Sequence, residues 1–224
     1  LNPFPALRTH LLFGGLAYRP VGPQQVESCN SSFLLGPGGI VQGRYDKHIL
    51  MPFGEYIPFA SYFPFLQDLS PESGAFSAGT GVTLFSLPDD ARIGPMICSE
   101  DLLAPMARAS ARAGAEVLVN ILNDAWYGES AAPYQHQALA LWRAIETRRF
   151  LLRGSNSGVT SVIDAAGRIQ QASDLFEVVV QTAVVPRLHM QTVYTQIGDV
   201  FAWGLVLGGL GMLAGLGKLQ RLSL

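Results

Sequence analysis

At 224 residues the chain can hold one sizeable domain, and 24 glycines beside a 49% apolar content exclude a disordered or collagen-like polymer. A formal charge of −2 leaves no basic footprint, which argues against nucleic acid as a partner and for recognition at a site. Cys29 and Cys98 are too few for a disulfide framework and have no zinc spacing; a single bridge between them stays open, and neither a metal site nor a cofactor motif is read.

The opening Leu1 to Arg8 stretch lacks the basic region, apolar core and cleavage site of a signal peptide. Leu11 to Tyr18, short, apolar and glycine-interrupted, predicts a buried strand. Asn30 to Leu35, Gly36-Pro37-Gly38-Gly39 and Ile40 to Gly43 predict a hairpin that runs on into Arg44-Tyr45-Asp46-Lys47-His48. Two prolines and a glycine make Leu50 to Phe59 a shaped loop, and its lone acid among aromatics, Glu55, must be partnered or functional. Ala60 to Ser77, rich in Phe and Tyr, suits a lid or a contact with lipid.

Val82 to Leu87 and Ala91 to Gly94 predict a second hairpin that delivers Cys98. There an apolar run ends in one cysteine followed by Ser99-Glu100-Asp101. With Asp101 as N-cap of an Ala-rich helix over 102–115, the thiol falls at a strand-to-helix turn, where a helix N-terminus favours thiolate. Glu116 to Asn123 returns as a strand, and strand, helix, strand marks an α/β layer. Tyr134 to Leu152 predicts a long helix, with Arg143, Glu146 and Arg148 on a solvated face. A third hairpin follows over 160–170, and Glu177 to Val185 predicts a last strand.

From Val200 to Gly217 there are 18 residues without a charge. As a helix they would span about 27 Å, against roughly 30 Å for a hydrocarbon core. Gly204 and Gly208, and then Gly211 and Gly215, are pairs four apart as suits packing on other membrane helices, and Lys218 and Arg221 favour a cytoplasmic C-terminus.

Together these motifs resemble the carbon–nitrogen hydrolase (nitrilase) superfamily and, within it, the apolipoprotein N-acyltransferase family. Cys98, in Ile97-Cys98-Ser99-Glu100, matches the superfamily nucleophile, and Lys47, within the Arg44 to Pro58 motif, matches its lysine. Asn123-Asp124-Ala125-Trp126-Tyr127-Gly128, Gln135-His136, Arg143-Ala144-Ile145-Glu146 and Asn156-Ser157-Gly158 are similar to segments around the acyltransferase cleft. Ser99 stands where that family usually carries tyrosine.

The resemblance implies an α/β fold, an αββα sandwich over 1–190, a linker over 191–199, a transmembrane helix over 200–217 and a cytoplasmic tail over 218–224. It implies a Glu, Lys, Cys triad whose glutamate lies in a Pro-Glu motif upstream of the first strand here; Glu27, the one glutamate ahead of Lys47, matches no such motif. The expectation is a C-terminal part of a longer protein, with a membrane bundle ahead of it and little activity on its own.

For the intact family the resemblance implies a periplasm-facing enzyme of the bacterial inner membrane. It would move an acyl chain from a phospholipid through a thioester on Cys98 to the N-terminal amine of a diacylglyceryl-cysteine apolipoprotein. Lys47 would favour thiolate and, with the amide of Ser99, stabilise the oxyanion; Glu55 and Glu100 would be supporting carboxylates. The alternatives are a hydrolase of amides or nitriles with water as acceptor, and a catalytically dead domain that binds membrane partners.

Overall fold

Two sheets face each other in the computed structural model of the chain, which describes residues 4–23, 25–60, 62–69 and 74–222, without the side chains of 67, 69 and 215–222. Strands β1 (Leu11–Pro20), β2 (Val26–Leu35) and β3 (Val41–Asp46) form an antiparallel sheet in that order. Strands β4 (Phe85–Ser86), β5 (Arg92–Ile97), β6 (Val117–Leu122), β7 (Phe150–Ser155), β8 (Ser161–Ile163) and β9 (Ile169–Ala172) form the other, also in sequence order. Its centre, β5-β6-β7, is parallel, with helices α1 (Ala104–Arg112) and α2 (Ala132–Thr147) as crossovers.

Strand alternation assigns each face. Met96, Leu118, Leu151 and Ile163 join Ala107, Ala140 and Ala144 in a core between the six-stranded sheet and the helices. On the opposite face Ile97 and Phe85 meet Leu34 and Tyr45 between the sheets. Gly94 is where α1 comes closest: a Cβ there would lie 2.9 Å from Ser110 and 3.1 Å from Ala115. The alanines of both helices serve the same close approach.

Helix α3 (Val193–Ile197) sits in the expected linker and docks on the helix layer. The Thr192 hydroxyl caps it, accepting from the Thr195 amide at 2.9 Å and donating to the Glu146 carbonyl at 2.6 Å. Arg108 donates to the carbonyls of Tyr194 and Gln196. Among the described residues three of the four layers of the expected αββα sandwich are in place, the two sheets and one helix layer. That layer gathers α1, α2 and α3 on the six-stranded sheet, whereas the side chains of 200–214 in α4 (Val200–Leu222) are all exposed.

Several expectations are corrected. β1 is an edge strand paired only with β2, and Leu16 and Tyr18 are exposed rather than buried. The helix expected over 134–152 ends at Thr147, because Arg148 turns left-handed (φ 52°) and the apolar Phe150-Leu151-Leu152 run pairs with β6. Arg143 is buried and donates to the Leu102 carbonyl instead of lying on a solvated face. Residues 177–185 form no strand; Val178, Val179, Val180 and Val184 are exposed and Val185 is half-buried, without a ladder. The span expected over 200–217 does lie in a helix, yet among the described residues no helix is long and apolar enough to cross a membrane. Residues 223–224 of the expected tail lie outside the described residues.

Candidate active site

β5 carries Cys98 to its place. Ile97 is held in register against Ile121, and at Cys98 the chain leaves the ladder with φ 52°, a left-handed conformation that is strained for any residue with a Cβ. A 3-10 turn (Cys98–Leu102) follows before α1 starts. The Cys98 carbonyl accepts from Asn120 Nδ2 at 3.0 Å, tying the turn to β6. Both cysteines are free thiols; Cys29 is buried in β2 and Cys98 half-buried.

Burial pushes the Cys98 thiol above its ordinary pKa, the Lys47 ammonium and the Ser99 amide pull it back, and Asp124 and Asp101 add to the push. Tyr127, after β6, is raised by burial and then by the field of Cys98. The site thus joins the ends of β3, β5 and β6.

Lys47 follows β3 directly, its amide donating to the Asn30 carbonyl at 2.8 Å and its side chain 1% exposed. Its Nζ reaches Glu55 Oε2 at 2.6 Å. Glu55 is fixed in turn: Oε1 accepts from Asn30 Nδ2 at 2.8 Å and Oε2 from the Met51 amide at 2.8 Å. The proline-rich loop folds back so that Phe53 N donates to the Tyr56 carbonyl at 2.7 Å, with Phe53 left-handed at φ 62°. Such a loop delivers a carboxylate where no helix or strand could.

Glu100 has another place. It is fully buried, and Oε1 accepts from the Tyr45 hydroxyl (2.8 Å), the His48 amide (2.8 Å) and the Ile49 amide (3.1 Å), while Oε2 accepts from the Ile97 amide (2.8 Å). Burial raises its pKa against these four donors. One carboxylate therefore joins the Lys47 loop to the end of β5.

Asp101 is no helix cap. Buried completely, it accepts from Asn120 Nδ2, from His136 Nε2 at 2.7 Å and from Arg153 Nε at 3.0 Å. His136 Nδ1 lies 3.1 Å from Asp124 Oδ1. Burial opposes the imidazolium, but the bonds to Asp101 and Asp124 outweigh it and raise His136 to about 9. Asp124 Oδ2 is buried without a hydrogen bond.

Lys47 thus pairs with Glu55 while its field reaches Cys98, and Glu100 ties the residues that follow Lys47 to the end of β5. Glu27 pairs with Arg19 across β1 and β2 at 2.6 Å. The Asp101, His136, Arg153 and Asn120 cluster was not legible as a unit. Its signal was a polar residue inside an apolar strand, Asn120 in β6 and Arg153 in β7, since a buried polar group must find a partner. Among the described residues no group of three or more His, Cys, Asp or Glu could hold a metal ion.

A carbon-nitrogen hydrolase family model matches residues 7–193. The apolipoprotein N-acyltransferase of Geobacter metallireducens is 42% identical over 202 residues, 90% of this chain and 38% of its own length; that of Bdellovibrio bacteriovorus is 37% identical over 89% of this chain and 38% of its own length. The chain therefore spans well under half of these relatives. Among solved structures, a mutant of the Nesterenkonia AN1 amidase from the nitrilase superfamily is similar at TM-score 0.52 and 19% identity, over 74% of this chain and 57% of its own. The glutamine-dependent NAD+ synthetase of Acinetobacter baumannii is similar at TM-score 0.57 and 15% identity, over 75% and 30%. At those identities the likeness is one of fold. The chain belongs to the carbon-nitrogen hydrolase family.

Proposed function

We propose that this chain carries the thiol site of an N-acyltransferase, in which Cys98 takes an acyl group from a phospholipid and passes it to the N-terminal amine of a diacylglyceryl-cysteine apolipoprotein. The observation that carries the reading is the convergence on Cys98 of the buried Lys47 cation and the Ser99 amide, both of which favour thiolate. The acyltransferase relatives supply the substrate class.

In the first step the Cys98 sulfur adds to the ester carbonyl, and the oxyanion is held by Lys47 and the Ser99 amide. Collapse forms the thioester, breaks the ester C–O bond and releases a lysophospholipid, whose alkoxide takes the proton that the Cys98 thiol gave up. In the second step the amine adds to the thioester, the C–S bond breaks, and the amine proton goes to the departing thiolate. The carboxylate that carries these protons in the family is the upstream glutamate; Glu55, engaged with Lys47, fixes the cation instead.

Work at a bilayer surface is supported by the exposed apolar side chains of α4, among them Phe201, Trp203, Leu207 and Met212, and by Phe59, Tyr62 and Phe65 beyond the Glu55 loop. We assign α4 to membrane contact on that basis.

The test is acceptor choice. With phosphatidylethanolamine vesicles and a diacylglyceryl-cysteine peptide, the chain carried in a protein of its relatives' full length should yield N-acylated peptide. Acyl transfer to water alone, with the peptide unchanged, would show a hydrolase.

A further inference from the structure

The thiol site carries a charge problem that Lys47 alone does not solve. Asp101 and Asp124 are both buried, and both push the Cys98 thiol toward its neutral form. They come from different elements, Asp101 from the turn after β5 and Asp124 from the segment after β6, and they share one group, the ring of His136 on α2.

Each ring nitrogen of His136 faces a carboxylate oxygen, Nε2 that of Asp101 at 2.7 Å and Nδ1 that of Asp124 at 3.1 Å. A carboxylate only accepts, so satisfying both requires an N–H on both nitrogens, which is the imidazolium. The other charged group in the cluster is Arg153 of β7, whose Nε donates to Asp101 at 3.0 Å. Two anions and two cations leave the cluster without net charge. Lys47 also acts on the sulfur, and the field of Cys98 reaches Tyr127.

We propose that His136 is a positioning residue for Cys98: its imidazolium, gripping Asp101 on one side and Asp124 on the other, cancels two carboxylates behind the thiol and so makes its ionisation easier. The mechanical part follows the same bonds. Asn120 holds both the Cys98 carbonyl and Asp101, so a ring that fixes Asp101 also fixes the strained turn. The proposal rests on Cys98 being the nucleophile. Core packing alone would account for the burial of His136 but not for two carboxylates on one ring.

The experiment is the rate of Cys98 alkylation by iodoacetamide from pH 5 to 11, read by peptide mass on the full chain, with circular dichroism as the check on folding. No acyl donor is used, so failure of acyl transfer leaves the result standing, and the converse holds. His136→Gln leaves the cluster one negative charge in excess; its alkylation midpoint should rise by about one pH unit, a roughly tenfold slower reaction at pH 7. His136→Gln with Asp124→Asn is neutral again and should return most of the way to the wild-type midpoint, a rescue that a packing defect would not show. Asp124→Asn alone should move the midpoint down. A folded His136→Gln chain with the wild-type midpoint, or a double variant as alkaline as the single one, would overturn the proposal. Should His136→Gln fail to fold, Asp124→Asn decides: a lower midpoint supports the proposal, and an unchanged or higher one contradicts it.

Discussion

Lys47 and Glu55 form an ion pair of 2.6 Å in which the lysine side chain is 1% exposed and the glutamate 12%. The carboxylate is the counter-charge of a buried cation, and it keeps its own position through Asn30 and Met51. Removing one partner of such a pair leaves a buried charge uncompensated, at a cost of about 3–5 kcal/mol. Glu55→Ala should therefore lower the urea midpoint strongly, and Lys47→Met in the same chain should recover part of the loss. Additive losses in the double variant would show that the two groups act independently.

Glu100 is expected to matter for the fold before it matters for chemistry. Its two oxygens satisfy three backbone amides and the Tyr45 hydroxyl. Each donor left bare inside the protein costs about 1–3 kcal/mol, so Glu100→Ala should unfold the chain or reduce its stability by at least about 3 kcal/mol. Chemical denaturation reads the loss directly, and a variant with wild-type stability would refute the holding role.

His136 makes stability depend on pH in a definite direction. Its ordinary pKa is 6.5 and its folded one about 9, raised by Asp101 and Asp124 against the opposing effect of burial. A group that binds its proton more tightly when folded stabilises fully below the unfolded value and loses that contribution as pH rises through the folded one. Tm should fall between about pH 7 and 9.5 by the equivalent of roughly 2–3 kcal/mol. His136→Gln should flatten this slope; an equally steep fall in that variant would assign it to other groups.

Gly79 clamps the Lys47 segment from outside. Its amide donates to the Lys47 carbonyl at 2.8 Å, its carbonyl lies 2.8 Å from His48 Nδ1, and a Cβ would strike the backbone carbonyl of Asp46. Gly79→Ala should cost about 1–3 kcal/mol and should slow Cys98 alkylation at pH 7 as Lys47 is displaced. Unchanged alkylation would mean that the segment tolerates the shift.

The parallel centre of the large sheet was readable because β5 and β6 are apolar runs bounded by turn residues, with an Ala-rich helix between them. Lys47, Glu55 and Cys98 were legible through the resemblance of their surrounding motifs rather than through spacing. The failures have local causes. Phe150 to Leu152 reads at helical spacing with the residues before it, but the open edge of β6 outweighs that propensity. Residues 177–185 are rich in β-branched side chains like a strand and find no partner edge. Asp101 looks like an N-cap because the cap signal is local, whereas its partners His136 and Arg153 lie 35 and 52 residues away. A network assembled from three separate elements leaves no periodic trace along the chain.

At the centre of the proposed chemistry, the Cys98 sulfur carries the acyl group in transit. Incubating the chain, carried in a protein of its relatives' full length, with phospholipid bearing a labelled acyl chain and mapping the label by peptide mass tests this most directly. The expected result is a hydroxylamine-sensitive acyl group on the Cys98 peptide that disappears in Cys98→Ala. A label that persists in that variant, or that maps to another side chain, would contradict it.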